Sequence, residues 1–214
     1  MKAWIRWSLW LTIVLGTAFG VLRYWFIDFH RVPDDGNEHN WANAPNLQPG
    51  ELALVWRGGE PHLGDLVRCA DPTDPQRWLV ARIIGTAGDK IEYVDNQLRI
   101  NGFRVPTQGC AGTARKVIDA SGLELEASCS NEELGGSKHD VQVALNTQLP
   151  NGEWRVESGK YFLLSDHRSA PHAHDSRETE VSQRPAAECT QRLVIRVMGK
   201  AGWGDSSRRM TFLF

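Results

Sequence analysis

The hydrophobic pattern of this chain changes character once, close to residue 28. Before that point, Trp7 to Ile27 is an almost unbroken apolar run with Arg23 as its only charge. Wound as a helix at 1.5 Å per residue, the run reaches about 31 Å, enough for the hydrocarbon core of a bilayer. Beyond it no long amphipathic helix and no internal repeat recurs. Short β-like runs take over at Leu52 to Trp56, Leu66 to Cys69, Trp78 to Gly85, Lys90 to Val94, Gln97 to Ile100 and Phe103 to Val105. They return at Val141 to Leu145, Tyr161 to Leu164 and Leu193 to Val197. Asp95-Asn96 and Asn101-Gly102 separate consecutive runs, as hairpin turns require. The pattern predicts a mostly β fold, twisted antiparallel sheets in a sandwich or partly open barrel, behind one N-terminal transmembrane helix. It divides the chain into an anchor (1–29), a linker (30–50) and a β domain (51–214) with a more polar insertion at about 107–150.

Lys2 and Arg6 precede the apolar run, so the positive-inside rule puts the N-terminus in the cytoplasm. The bulk of the chain then faces the periplasm or cell exterior from the cell (inner) membrane, with membrane lipid as a partner. Trp4, Trp7, Trp10 and Trp25 suit an interfacial aromatic belt. A cleaved signal peptide, with Ala18-Phe19-Gly20 as a loose cleavage site, is the competing reading. The continuation of the run through Tyr24-Trp25-Phe26-Ile27 favours the anchor.

Composition adds exclusions. At 41% apolar and 23% charged residues, wholesale disorder is excluded. A net charge of -2 offers no basic surface for nucleic acid. The four cysteines favour disulfides in an oxidising compartment. Cys110 and Cys129 flank one excursion of the chain and pair first, which leaves Cys69 with Cys189 as the weaker assignment. Buried free thiols are the alternative, and the spacings match no zinc pattern.

From Ala81 the chain reads Ala81-Arg82-Ile83-Ile84-Gly85-Thr86-Ala87-Gly88-Asp89-Lys90-Ile91, then Asn101-Gly102 after one hairpin. This block resembles the type I signal peptidase segment Lys-Arg-[Val/Ile]-[Val/Ile]-Gly-x-x-Gly-Asp-x-[Ile/Val] with its later Asn-Gly. Upstream, Pro45-Asn46-Leu47-Gln48-Pro49-Gly50-Glu51 resembles the family's Pro-Thr-Leu-x-x-Gly-Asp, and Gly64-Asp65-Leu66-Val67 its Gly-Asp element. Downstream come Glu133-Leu134-Gly135-Gly136 with Val141, then Asp166-His167-Arg168, Asp175-Ser176-Arg177 and Val197-Met198-Gly199-Lys200-Ala201, in the family's order. Each piece alone is weak. In series behind an anchor, they identify the chain as a member of that family.

The resemblance implies a serine that attacks a peptide carbonyl and a lysine, kept neutral by burial, that takes its proton. It implies a substrate held as an added β-strand with small side chains at alternate positions. The family presents its serine in Ser-x-Ser-Met-x-Pro. Anchored on Pro45, that pattern places the nucleophile at Ala42; anchored on Val32-Pro33, it places it at Gly36. The base falls on Ala81, and a third family serine on Ala173. No serine or threonine occurs between Ala18 and Pro72. Lys90 is the only lysine within ten residues of Ala81, and Arg82 stays protonated at any relevant pH.

The resulting expectation is a membrane-anchored pseudoenzyme without the Ser/Lys dyad. It binds an extended segment of a secreted or membrane protein, or holds a place in a larger membrane or secretion complex. Its groove candidates are Trp41, Ala42, Ala81, Arg82 and Ile83. Gly64, Asp65, Gly85, Gly88, Asp89, Asp166, Arg168, Asp175, Ser176 and Arg177 carry over as framework. The alternatives are an active signal-peptide-removing serine endopeptidase with a nucleophile elsewhere and a purely structural subunit. Asp166, His167, His172, His174 and Asp175 have metal-ligating side chains but no second fixed cluster. They read as a solvated loop braced by ion pairs, with no metal and no cofactor. A triad built on Ser165 or Ser176 is a minor reading. Trp203, Phe212, Leu213 and Phe214 either touch lipid or pack on the sheet.

Overall fold

The apolar run, free of proline, winds into α1 (Lys2–Trp25). Its hydroxyls fold back onto its own carbonyls: Ser8 on Ile5, Thr12 on Ser8 and Thr17 on Ile13, at 2.8–2.9 Å. This hides the polar atoms of a helix whose surface is otherwise apolar and exposed. The helix stops two residues short of the apolar run. Ile27 instead opens β1 (Ile27–Arg31), because Asp28 and His30 alternate with Ile27 and Phe29 as a strand demands. A computed structural model describes residues 2–110, 115–118, 124–145, 147–169, 175–179 and 181–213.

There follow β2 (Leu52–Trp56), β3 (Leu66–Ala70), β4 (Trp78–Gly85), β5 (Lys90–Val94), β6 (Gln97–Ile100), β7 (Phe103–Arg104), β8 (Thr107–Gly109) and β9 (Arg115–Ile118). The chain continues through β10 (Glu124–Leu134), β11 (Ser137–Ala144), β12 (Gly152–Arg155), β13 (Lys160–Leu164), β14 (Arg184–Pro185), β15 (Gln191–Met198) and β16 (Thr211–Phe212). The main sheet has the order β1-β2-β15-β3-β4-β13-β14, with β16 also on β15. A second sheet joins β11, β10 and β8, with β9 on β10, and a third runs β12-β5-β6-β7. All named ladders are antiparallel, so the mostly β class read from the sequence holds.

The hairpin β5–β6 turns on Asp95 and Asn96, at φ 50° and 60°, and β6–β7 on Asn101 and Gly102, at 53° and 81°. Asp89 accepts from the Thr86 backbone and hydroxyl and from Asn101 Nδ2, at 2.8–3.0 Å. The Gly88-Asp89 and Asn101-Gly102 motifs are thus two halves of one latch. A comparable reciprocity joins Gly64 and Gly135, both at positive φ. A Cβ on Gly64 would lie 2.6 Å from the Leu134 carbonyl oxygen, and one on Gly135 2.0 Å from that of Leu63. Only glycine lets these two turns touch. Both favoured disulfides are present, Cys110–Cys129 and Cys69–Cys189.

The core centres on β4. Leu79, Ala81 and Ile83 point into a cluster with Val67, Cys69, Leu163, Val181 and Cys189. On the opposite side Val80 packs against Val32, Leu47, Val55 and Leu66, and Ile84 joins Ile91, Tyr93 and Phe162. The 34–48 stretch, read as an extended linker, holds a 3-10 turn at Glu38–Trp41, and its residues 42–45 are buried.

Candidate functional site

Between the end of β1 and the start of β4 lies a cleft of about 180 Å³, walled by His30, Val32, His39, Asn43, Leu79 and Val80 among others. Ala42 belongs to this wall and is buried; Gly36 sits outside it, exposed, at φ 78°. The geometry therefore favours the register anchored on Pro45. That register is held from several sides. His167 N–H donates to the Ala42 carbonyl at 2.8 Å, Asn46 Nδ2 to Asp166 at 2.7 Å, and Arg208 to the Pro45 carbonyl at 3.1 Å. Arg208 also grips the buried Glu51 at 2.6 and 2.8 Å.

Asn43, where the family has methionine, donates from Nδ2 to the Val80 carbonyl at 2.6 Å. It joins the segment of Ala42 to that of Ala81. Its Oδ1 is buried with no hydrogen-bond partner among the described residues. Backbone direction along β4 follows from Ile83, which gives its N–H to Asp65 and receives Gly64 N–H on its carbonyl. Alternation then turns Trp78 and Val80 away from β3. On that side β13 pairs with β4 only from Arg82 onward, so among the described residues Trp78 to Val80 form a short open edge facing the cleft.

The other groove candidates lie elsewhere. Ala81 is fully buried in the cluster under the cleft, Ile83 is core, and Trp41 is half-buried outside the cleft lining. Arg82 is wholly interior. It clamps Asp166 bidentately, Nε and Nη2 each at 2.8 Å, and donates to the carbonyls of Gly64 and Leu213. The Asp166 to Asp175 stretch reads from the sequence as a solvated loop braced by ion pairs; the ion pairs are present, but Asp166, Arg168 and Asp175 are buried and not solvated, each charge balanced by a partner. Arg168 bonds Glu132 at 2.5 Å, and Arg177 holds Asp175 through Nη2 at 2.6 Å. Burial pushes the carboxyls of Asp166, Glu132 and Asp175 up. The arginine beside each one outweighs that and holds it below the usual carboxylate range.

None of these charged residues lines the cleft. Ser165 Oγ shares its single proton between Asp175 and the His167 carbonyl, and Ser176 Oγ accepts from Leu163 N–H. Among the described residues neither bonds an imidazole nitrogen. Burial lowers His30 and His167 to about 4, leaving both neutral. His172, Ala173 and His174 lie outside the described residues. Asn43, Glu132 and the Trp78 to Val80 edge were not read from the sequence as site residues; the unusual Asn43-for-methionine was the one available signal.

With that geometry in place, the comparisons decide the family. A profile of the family described as signal peptidase, peptidase S26, matches residues 4–198. The chain belongs to the signal peptidase family. Signal peptidase I of Pseudomonas fluorescens is 32% identical over 123 residues, 56% of this chain and 40% of that protein. Signal peptidase I of Pseudomonas aeruginosa is 26% identical over 177 residues, 73% of this chain and 57% of that protein. The matches thus span roughly half the length of these relatives. A crystal structure of a signal peptidase I from Enterococcus faecalis aligns over 61% of this chain and 94% of its own, at 20% identity and a TM-score of 0.35. Within the signal peptidase family, then, this member keeps the framework motifs and carries alanine at Ala42 and Ala81.

Proposed function

We propose that this signal peptidase family member is a membrane-anchored pseudoenzyme that holds an extended peptide without cutting it. The observation that carries the reading is alanine at both positions where the family's motifs put nucleophile and base. One lines the cleft and the other is sealed in the core beneath it. Loss of either dyad member removes most of such a rate. The open edge of Trp78 and Val80 remains able to pair with a peptide backbone. A segment of a secreted or membrane protein fits this edge, free or within a larger membrane assembly.

Anchoring through α1, N-terminus in the cytoplasm, suits a helix whose Trp4–Trp25 stretch is long and apolar enough to cross a bilayer. Two disulfides support an oxidising compartment for the β domain. Strand register lines up Phe29, Leu54, Ile195 and Phe212 across one sheet face beside the helix, and Phe29 and Phe212 are exposed. That face suits contact with lipid. The full-length protein, incubated with a preprotein bearing an Ala-x-Ala site, is expected to bind the signal region and leave it intact. Faithful cleavage would sink the proposal. It would establish the second reading, which the relatives' name, signal peptidase I, favours.

A further inference from the structure

Where α1 meets the sheet, one carboxylate serves three guanidiniums. Asp28 Oδ1 is 3.2 Å from Arg23 Nη2, and Asp28 Oδ2 accepts from both Arg57 (3.0 Å) and Arg68. Arg68 is nearly buried, lies over the Trp78 ring at 4.5 Å and also donates to Gln191 at 2.6 Å. Burial raises the Asp28 carboxyl, and the bonds from Arg68, the Phe29 backbone N–H and Arg57 override it and bring it to about 2. Asp28 is therefore ionised at neutral pH, and its single charge offsets only one of the three guanidiniums. Arg23 and Arg57, at 43% and 33% side-chain exposure, carry a surplus of two positive charges.

Their surroundings are not those of an ordinary solvated pair. They share a cleft with Gly20, Tyr24 and Trp25, and, apart from Gly20's chain neighbours and its own helix backbone, no described atom lies within 4 Å of where a Gly20 Cβ would be. Arg57 is tied there by Nη1 to the Tyr24 carbonyl (3.3 Å), and Arg23 by Nη1 to the Ile27 carbonyl (2.6 Å). Each of these contacts uses one N–H of Nη1 or Nη2, leaving donors of each five-donor fork unspent among the described residues. The apolar helix ends at this level among aromatic side chains, which is where headgroups lie if α1 spans the bilayer.

We propose that Arg23 and Arg57 form a binding site for the phosphodiester of an anionic phospholipid at the domain-side surface of the membrane. The inference rests on the anchor reading above. Two planar forks set around one cleft match phosphate oxygens, and net lipid charge answers the surplus. A headgroup held there would fix the angle between the helix and the sheet that carries the peptide edge.

The test uses the full-length protein reconstituted in nanodiscs of equal phosphatidylglycerol and phosphatidylcholine, with native mass spectrometry of the lipids that remain bound. Phosphatidylglycerol is expected to be enriched. Arg23→Gln with Arg57→Gln should cut that enrichment about 25-fold, at roughly 5-fold per arginine near a charged surface. Lys200→Gln with Arg209→Gln, at basic positions away from the junction, should leave it unchanged. Equal retention of the two lipids, or enrichment surviving the double Arg variant, overturns the site. Failure of the wild-type chain to enter nanodiscs overturns the anchor instead. Should the Gln variant unfold, Arg23→Lys with Arg57→Lys keeps the charge without the fork, and partial loss of enrichment is expected. A thermal shift with inorganic phosphate alone, in phosphatidylcholine discs, would overturn the lipid in favour of free phosphate.

Discussion

Ala81 and Arg82 are neighbours on one strand, yet they belong to two different regions of the molecule. Ala81 faces the cluster beneath the cleft, where the family's motif asks for a base. Arg82 faces the opposite way into a charge network joining Asp166, Asn46 and the Gly64 turn. Arg82 spends all three guanidinium nitrogens on Asp166 and the Gly64 and Leu213 carbonyls, while Ala42 and Ala81 offer only methyl groups. Because successive strand residues point to opposite faces, the chemistry on one face can be lost without disturbing the brace on the other. The Arg82 half of this segment therefore reports on the fold.

If that comparison is sound, the two faces respond very differently to substitution. Arg82→Met strands Asp166 without its fork and should cost about 3–5 kcal/mol, since one partner of a buried pair is left uncompensated. Ala42→Ser, on the cleft wall, should cost about 1 kcal/mol or less. Chemical denaturation of the two variants decides it, and equal losses would erase the distinction between brace and cleft.

Acid offers a test that touches both regions at once. His30 lines the cleft and His167 binds the brace to Ala42, and burial holds both near 4. An unfolded histidine takes a proton near 6.5, so the unfolded chain binds more protons between about pH 6.5 and 4. Stability is full above that window and falls through it on acidification, by at most about 3 kcal/mol per histidine. The braced carboxylates, with lowered pKa, should give way only at still lower pH. Melting temperature followed from pH 7.5 to 4.5 should decline, and His167→Gln should flatten the decline. A flat wild-type profile contradicts the burial of both rings.

What could be read in advance follows from range along the chain. The Asp95-Asn96 and Asn101-Gly102 turns are local, and their backbone conformations are those that asparagine, aspartate and glycine tolerate. The anchor, the β4 strand and both disulfide pairings were legible for similar reasons. β10 was not, because Glu124 to Leu134 has too few apolar positions to show a two-residue period. β1 was hidden inside the apolar run of the helix. The pairing of Arg82 with Asp166 spans 84 residues, and Glu132 gave no sign of its service to Arg168. Such partners appear only when the sheets bring them together, so the site read as a solvated loop.

The interlocked turns give a smaller, sharper effect on the brace side. Gly135→Ala places a methyl against the Leu63 carbonyl at a positive φ and should cost about 1–3 kcal/mol. Thermal denaturation measures it, with Gly136→Ala as the comparison: that position has open space around it, so backbone strain alone acts there.

The smallest effect is expected at Asn43, and it bears most directly on the cleft. Asn43→Ala removes a bond to Val80 worth about 0.5–1.5 kcal/mol net. It also removes a buried Oδ1 that has no partner among the described residues, whose desolvation costs a similar amount. The two nearly cancel, so the melting temperature should barely move. The Val80 carbonyl is meanwhile released to the open edge, where an incoming strand can donate to it. Affinity for a labelled extended peptide, read by fluorescence anisotropy, should rise a few-fold, about 1 kcal/mol for one recovered backbone bond. A stable Asn43→Ala protein that binds peptide more weakly would mean that the Asn43 amide itself holds the ligand, and the cleft would be a built site and not a remnant.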